Sequence, residues 1–309
     1  MGAGERRLRA SVKGMDTNFL GPFPVHRVGF GAMQLPGPGV LGPPRDHDEA
    51  IAVLRRAVEL GVDHIDTAQF YGPDVANELI REALHPYPEA LVLVSKVGAF
   101  RDEQGGWLPG QRPEQLRSAV EDNLRSLGTD RLGAVNLRLM DSHEHEPPAD
   151  QRVALEDQLA EMVALRDEGK IAAIGISTAT RAQVEQAITQ AGIVCVQNAF
   201  SLVDQTDADV LDLCHDCGVA YVPYFPLGSA FPGMPKVTDN PAVQAVAQRS
   251  GASPAQVGLA WLLAYRDNVL LIPGTSSVAH LEENMNVTSI SLTNDDITGL
   301  QTITQSHAE

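Results

Sequence analysis

The sequence predicts an α/β fold, a (β/α)8 TIM barrel with a short N-terminal β-hairpin capping its bottom. Two observations carry this. Apolar, strand-like runs recur eight times along the chain, and amphipathic helical patterns with readable starts fill the intervals. Near-continuous apolar strands alternating with helices mean a parallel sheet covered on its outer face, and eight strands close such a sheet into a barrel. Barrels of this kind run to about 250 residues or more as one unit. A single domain over residues 15–309 of the 309 therefore accounts for the length, and 43% hydrophobic residues is ample for its core.

Taken in order, residues 1–14 carry Arg6, Arg7, Arg9 and Lys13 ahead of Met15 and read as a mobile extension or an upstream start. No apolar h-region follows them, so they do not make a signal peptide. TNFLGPFPVHRV, residues 17–28, reads as the hairpin. The first barrel strand is VGFGAM (Val28–Met33), followed by HIDTA, LVLVSKV, AVNLRLM, IAAIGIS, VCVQNAF, AYVPYFP and finally VLLIPGT (Val269–Thr275). Between them Asp46 with Glu49, Thr180 with Gln183, and Ser253 with Gln256 have capping-box spacing. Pro254, at a first helical position, loses nothing by lacking an N–H.

A net charge of −17 argues against binding nucleic acid or an anionic membrane, both of which demand a basic face. No apolar run is long enough to span a bilayer. The cysteine count of 3 and its spacing suggest no disulfide framework. Cys214 and Cys217, with His215 between them, read as reduced cysteines at a helix end in a cytoplasmic protein. GPGVLG (Gly37–Gly42) satisfies G-x-G-x-x-G, but Pro43 and Pro44 follow it and the next helix opens only near Asp46. It reads as a flexible loop over the barrel mouth, since a dinucleotide fingerprint needs its last glycine at a helix start. The HEHE run, His143–Glu146, reads as a solvated loop, so no metal is expected.

Chemistry concentrates where strands end, the face on which barrels carry their sites. Asp66 ends the second strand, Tyr71 follows five residues later, and Lys96 ends the third. A phenol with a pKa of about 10 is a weak acid at neutral pH. A cation within about 4–6 Å stabilises the phenolate, and an aspartate can hold that cation in place. Taken singly, these residues would suit a salt bridge at the rim and a packing tyrosine. Together they suit a proton donor beside a carbonyl.

At this point the chain resembles the aldo-keto reductases, NAD(P)(H)-dependent oxidoreductases on a β/α barrel. The resemblance rests on GFGAM, HIDTAQFYG, the SK of the third strand, VQNAFS, YFPLG and IPGTSSVAHLEEN, and covers Asn18 to Leu300. It implies catalytic roles for Asp66, Tyr71 and Lys96. The family's fourth catalytic position is a histidine ending the fourth strand; here the register from Leu127–Asp130 places Arg138 there. An arginine stays protonated, so it can polarise a carbonyl or pair an acidic or phenolic substituent but cannot relay a proton.

The resemblance also implies a dinucleotide across the barrel mouth. Ser177 and Gln197, with Thr178 less securely, would meet the nicotinamide amide, and Tyr224 would stack on its ring. Pro226, Leu227 and Gly228 would follow the pyrophosphate. Gly274, Thr275, Ser276, Ser277, His280, Glu283 and Asn284 would take the adenosine end, with Gly31 and Met33 completing the set. Lysine and arginine, common in relatives that prefer NADPH, are replaced by Gly274 and His280, so NADPH is expected with NADH possible. Substrate contacts would include Gln34, Phe70 and Trp107, the last equally suited to packing. Within the family the likeness is to bacterial pyridoxal reductases, through GAMQLPGPGVLGPPRD, VNLR and LLIPGTSSVAHLEEN. The expected activity is reduction of a small-molecule aldehyde, pyridoxal to pyridoxine, by a monomer or weak homo-oligomer. The alternatives are an NAD-dependent dehydrogenase of a sugar or of pyridoxal, and a cofactor-sensing regulatory subunit.

Overall fold

The computed structural model describes residues 17–102, 104–140, 149–228 and 235–303. The basic N-terminal stretch and the HEHE run lie outside the described residues. In chain order the strands are β1 (Thr17–Leu20), β2 (Phe23–His26), β3 (Phe30–Gly31), β4 (His64–Asp66), β5 (Val92–Val97), β6 (Ala99–Arg101), β7 (Trp107–Pro109), β8 (Leu132–Arg138), β9 (Ile171–Ser177), β10 (Cys195–Gln197) and β11 (Ala220–Tyr221). Strands β3, β4, β5, β8, β9, β10 and β11 form a 7-stranded curled sheet, parallel throughout. β6 and β7 make a separate antiparallel hairpin inserted after β5.

The eighth predicted run is present, but shorter than predicted. Leu271 bridges Val28 and Val269 bridges Tyr221, both in parallel, so the segment touches both edges of the sheet and closes the ring. Gly29 N and Leu271 N exchange 2.8 Å bonds with Leu271 O and Arg27 O, and Leu270 N donates to Tyr221 O at 2.9 Å. Pairing stops before Gly274 because Pro273 has no N–H to give. The first barrel strand is likewise cut short, since the chain enters a 3-10 turn at Ala32–Gln34.

The hairpin of β1 and β2 plugs the bottom as predicted. Leu20 and Val25 are buried in the barrel interior with Val92, Val94, Ala134, Ala173, Ala220 and Leu270. Gly21 turns the chain at φ +60°, and a Cβ there would stand 2.6 Å from Val194 Cγ1, so both backbone and space require glycine. A second, larger apolar layer lies between the sheet and the surrounding helices.

Those helices are α1 (His47–Glu59), α2 (Val75–Leu84), α3 (Pro113–Leu127), α4 (Leu155–Asp167), α5 (Arg181–Ala191), α6 (Ala208–Asp216), α7 (Pro241–Ser250), α8 (Pro254–Tyr265), α9 (Val278–Met285) and α10 (Asn294–Gln301). Thr180 with Gln183 and Ser253 with Gln256 form full capping boxes at α5 and α8. At α1 only half of the predicted box exists. Asp46 accepts from Glu49 N at 3.0 Å, but the Glu49 carboxylate turns away and accepts from Val278 N at the start of α9. An orphan amide at a helix N-terminus competes well for a carboxylate.

The GPGVLG loop is pinned where the sequence suggested flexibility. Gly42 N donates to Gly72 O and Gly72 N to Val40 O, tying it to the turn that carries Tyr71. Cys214 is buried in α6 and Cys217 is exposed just past it. Burial pushes the thiols of Cys214 and Cys195 up to about 12. No described helix is long and apolar enough to cross a membrane.

Leu20 is 2% exposed and its neighbour Phe19 65%. Leu20→Ala is therefore expected to cost about 2–4 kcal/mol in urea unfolding, and Phe19→Ala under about 0.5 kcal/mol. Similar losses at the two positions would contradict the plug.

Candidate active site

β4 and β5 lie side by side in parallel; Asp66 is the last residue of β4 and Lys96 the penultimate residue of β5, and both are buried. The Lys96 ammonium forms an ion pair with Asp66 Oδ1 and donates to Thr67 O at 3.1 Å. The other carboxylate oxygen, Oδ2, accepts from Gln197 Nε2 at 2.6 Å. Asp66 is thus shared between a lysine of β5 and a glutamine of β10. Lys96 Nζ also stands 5.0 Å from the centroid of the Tyr71 ring. Burial works to push the ammonium pKa down, but the Asp66 carboxylate and then the Tyr71 oxygen outweigh it and hold it above the usual lysine value. The three residues grouped from sequence therefore meet.

Tyr71 is buried on a loop braced by Ala68 O, which accepts from its N–H, and by the pinned GPGVLG segment behind Gly72. Behind Lys96 a buried polar chain stiffens the strand ends. Thr67 Oγ1 donates to Asn77 Oδ1, Asn77 Nδ2 to Asn123 Oδ1, and Ser95 Oγ to the same oxygen. Sequence reasoning missed this chain, because isolated Asn and Ser residues in helices and strands carry no motif.

Arg138 ends β8, directly opposite Ser177 of β9, whose partner across β10 is Gln197. The three residues form a row along the rim. Gln111 donates to both Gly98 O and Arg138 O, fixing the ends of β5 and β8 together. The Arg138 side chain is half-buried, and burial lowers its pKa against the opposing pull of the Tyr71 and Tyr224 oxygens. Its guanidinium lies over the Trp107 ring, 4.5 Å from the centroid, and Trp107 in turn meets the Phe70 edge at 5.2 Å. Phe70 and Trp107 thus come together, while exposed Gln34 neighbours Gly274 instead.

Most of the remaining predicted residues lie on β9, β10, the turn after β11 and the segment around α9. Gln197 Oε1 is buried with no hydrogen-bond partner among the described residues. Its Nε2 is committed to Asp66, so the free atom is an acceptor suited to a carboxamide N–H. Ser177 is buried, with its hydroxyl 3.4 Å from that of Thr178. Thr178 itself takes a left-handed conformation, φ +59°, held by its N–H to Gln197 O and by Asn198, which bonds both N and O of Ala179. Asn198 also escaped sequence reasoning.

Tyr224 is half-buried, and Pro226–Gly228 form a tight bridged turn after it. Where the first and last barrel strands adjoin, the backbones of Gly31 and Gly274 touch: a Cβ on either would lie 2.5 Å from a carbonyl oxygen of the other segment. Met33 is half-buried beside them, and His280, Glu283 and Asn284 lie on α9 with His280 exposed. Thr275 Oγ1 accepts from Ser277 N at 3.1 Å. The unpaired buried acceptor of Gln197 at the rim fits the carboxamide of NAD(P)H.

Residues 27–305 match the model of the Aldo/keto reductase family. The chain is 47% identical over 291 residues to the pyridoxine 4-dehydrogenase of Escherichia coli (strain K12), covering 94% of this chain and 99% of that protein. It is 36% identical over 276 residues to an uncharacterised oxidoreductase of Schizosaccharomyces pombe, covering 89% and 86%. Among solved structures, a thermostable aldo-keto reductase in complex with the inhibitor epalrestat superposes with a TM-score of 0.77 at 29% identity, covering 93% of this chain and 99% of that one.

Removing one partner of the Lys96–Asp66 pair strands a buried charge. Asp66→Asn is expected to cost about 3–5 kcal/mol in chemical denaturation, and adding Lys96→Met to restore part of that loss. Strictly additive losses would show that the two charges are not coupled.

Proposed function

We propose, from the premise that the chain belongs to the aldo/keto reductase family and is an NAD(P)H-dependent oxidoreductase, that it reduces pyridoxal to pyridoxine with NADPH. The observation that carries this reading is the convergence of Asp66, Lys96 and Tyr71 at the strand ends, beside a half-buried arginine. The likeness to a pyridoxine 4-dehydrogenase supports the substrate.

Bound NADPH supplies the hydride. Tyr71 gives its proton to the carbonyl oxygen as that oxygen becomes an alkoxide, and recovers one from solvent. Lys96 stabilises the phenolate left behind, and Asp66 and Gln197 hold Lys96 in position. Arg138 presents fixed N–H groups to the developing negative charge. Ser177, Thr178 and Gln197 would hold the carboxamide, Tyr224 would stack on the nicotinamide ring, and Pro226, Leu227 and Gly228 would lie along the phosphates. The segment Gly274–Ser277 with His280, Glu283 and Asn284 would take the adenosine end, and Gly31 and Met33 would complete the cofactor site.

The decisive assay mixes the protein with pyridoxal and NADPH and follows cofactor absorbance. Steady reduction supports the proposal. Oxidation of pyridoxine alone would make the protein a dehydrogenase, the direction that the Escherichia coli relative's name gives. Tight cofactor binding without turnover in either direction would make it a sensor.

Tyr71→Phe is expected to lower turnover by about 10²–10⁴-fold. Arg138→Ala should likewise lower turnover far more than it lowers cofactor affinity. Equal turnover in mutant and wild type would remove either residue from the chemistry.

Glu49 bears on cofactor choice. Its carboxylate occupies an amide at the start of α9, within the segment proposed for the adenosine end, where NADPH differs from NADH by its 2′-phosphate. Glu49→Gln is expected to raise affinity for NADPH relative to NADH about two- to fivefold in a fluorescence titration. An unchanged ratio would dissociate Glu49 from that end of the cofactor.

A further inference from the structure

The β6–β7 hairpin brings a second arginine to the site. Arg101 and Trp107 are direct cross-strand partners, and the Arg101 guanidinium stacks on the indole, 3.6 Å from its centroid. Arg138 addresses the same ring at 4.5 Å. Two cations therefore share one aromatic side chain, and Phe70 ties that side chain to Tyr71 through two edge-to-face contacts of 5.2 Å and 5.4 Å.

The pair is not neutralised from within. Neither guanidinium has a carboxylate ion partner among the described residues. The nearest acid acting on Arg101, Asp102, spends its carboxylate on the amides of Gln104 and Gly106. Arg101 donates to Gly105 O at 2.6 Å and to Gly39 O at 3.4 Å, while its Nε is buried and unpartnered. Burial and then the charge of Arg138 lower the Arg101 pKa, with the Tyr71 oxygen and Asp102 opposing. Holding two like charges together, partly out of water, is unfavourable unless an anion joins them. In a chain of net charge −17 this is no general basic surface.

We infer that Arg101, with Arg138 and Trp107, forms an anion subsite that selects aldehydes bearing an ionised oxygen on the ring carbon next to the carbonyl. Phe70 packs edge-on against both Trp107 and Tyr71, so an anion held by the two cations on that indole lies close to the carbonyl that Tyr71 serves. A phenolate adjacent to the aldehyde meets that condition, and the indole edge offers the aromatic ring a wall. Arg101 is a specificity-determining residue here. This inference rests on the carbonyl-reductase reading of Tyr71 but not on pyridoxal being the substrate.

The test compares 2-hydroxybenzaldehyde with benzaldehyde, above the phenol's own pKa, in wild type, Arg101→Gln and Arg101→Lys. Wild type is expected to prefer the phenolate in kcat/KM by about tenfold or more, the range of one charge-assisted hydrogen bond. Arg101→Gln should erase most of that preference through KM, and Arg101→Lys should keep part of it. Tryptophan emission gives a readout without turnover: salicylate should perturb it in wild type and much less in Arg101→Gln, since Trp107 lies under both cations while Trp261 is fully buried.

A preference unchanged in Arg101→Gln overturns the subsite. So does an Arg101-dependent preference for pyridoxal 5′-phosphate over pyridoxal, which would assign the cations to a phosphate. A phenolate preference in a protein that leaves pyridoxal unreduced would uphold the subsite and remove pyridoxal. Reduction of pyridoxal and pyridine-4-carboxaldehyde at equal rates would do the reverse.

Discussion

The buried ion pair between Lys96 and Asp66 is the interaction on which the site depends. Each charge alone would be costly inside the barrel, and together they are tolerable only because every remaining polar atom is used. Thr67 O takes one ammonium proton and Gln197 donates to the second carboxylate oxygen. This spans the barrel from β4 and β5 to β10, so three strands must close in register before the pair is satisfied. The same arrangement spends one end of Gln197 and leaves the other as an unpaired acceptor at the rim.

Around that centre the rim divides by backbone behaviour. On one flank glycines remove side chains so that segments touch, as Gly31 and Gly274 do. On the other, a hairpin after β5 adds side chains that the barrel alone would lack. Trp107 and Arg101 come from that hairpin, and Gln111, just beyond it, binds the ends of β5 and β8 together. The two flanks thus use opposite means, bare backbone on one and projecting aromatic and cationic groups on the other. Arg138, a permanent cation where the family resemblance would place a histidine, stands beside them on the same indole.

The barrel was legible because period and apolarity are local properties. Eight runs, three capping boxes and a hairpin could be read from neighbours in sequence, and two of the boxes formed in full. One failure was local in cause and two were not. Pro273 ended the last strand early, and Glu49 left its predicted box for an amide of α9, 229 residues away in sequence. The GPGVLG loop looked flexible from composition and was pinned by bonds to Gly72 that composition does not encode.

By itself the sequence determined the alternation of strands and helices, the end of the barrel that carries chemistry, and the residues Asp66, Tyr71, Lys96 and Arg138 that stand there. These follow from spacing along the chain, which sets which side chains share a strand end. Only the tertiary structure decided that Gln197 shares Asp66 with Lys96, that Asn198 holds the strained turn at Thr178, and that Arg101 and Arg138 converge on one indole. Each of those depends on closing long loops between distant segments, and contact made that way has no periodicity to announce it.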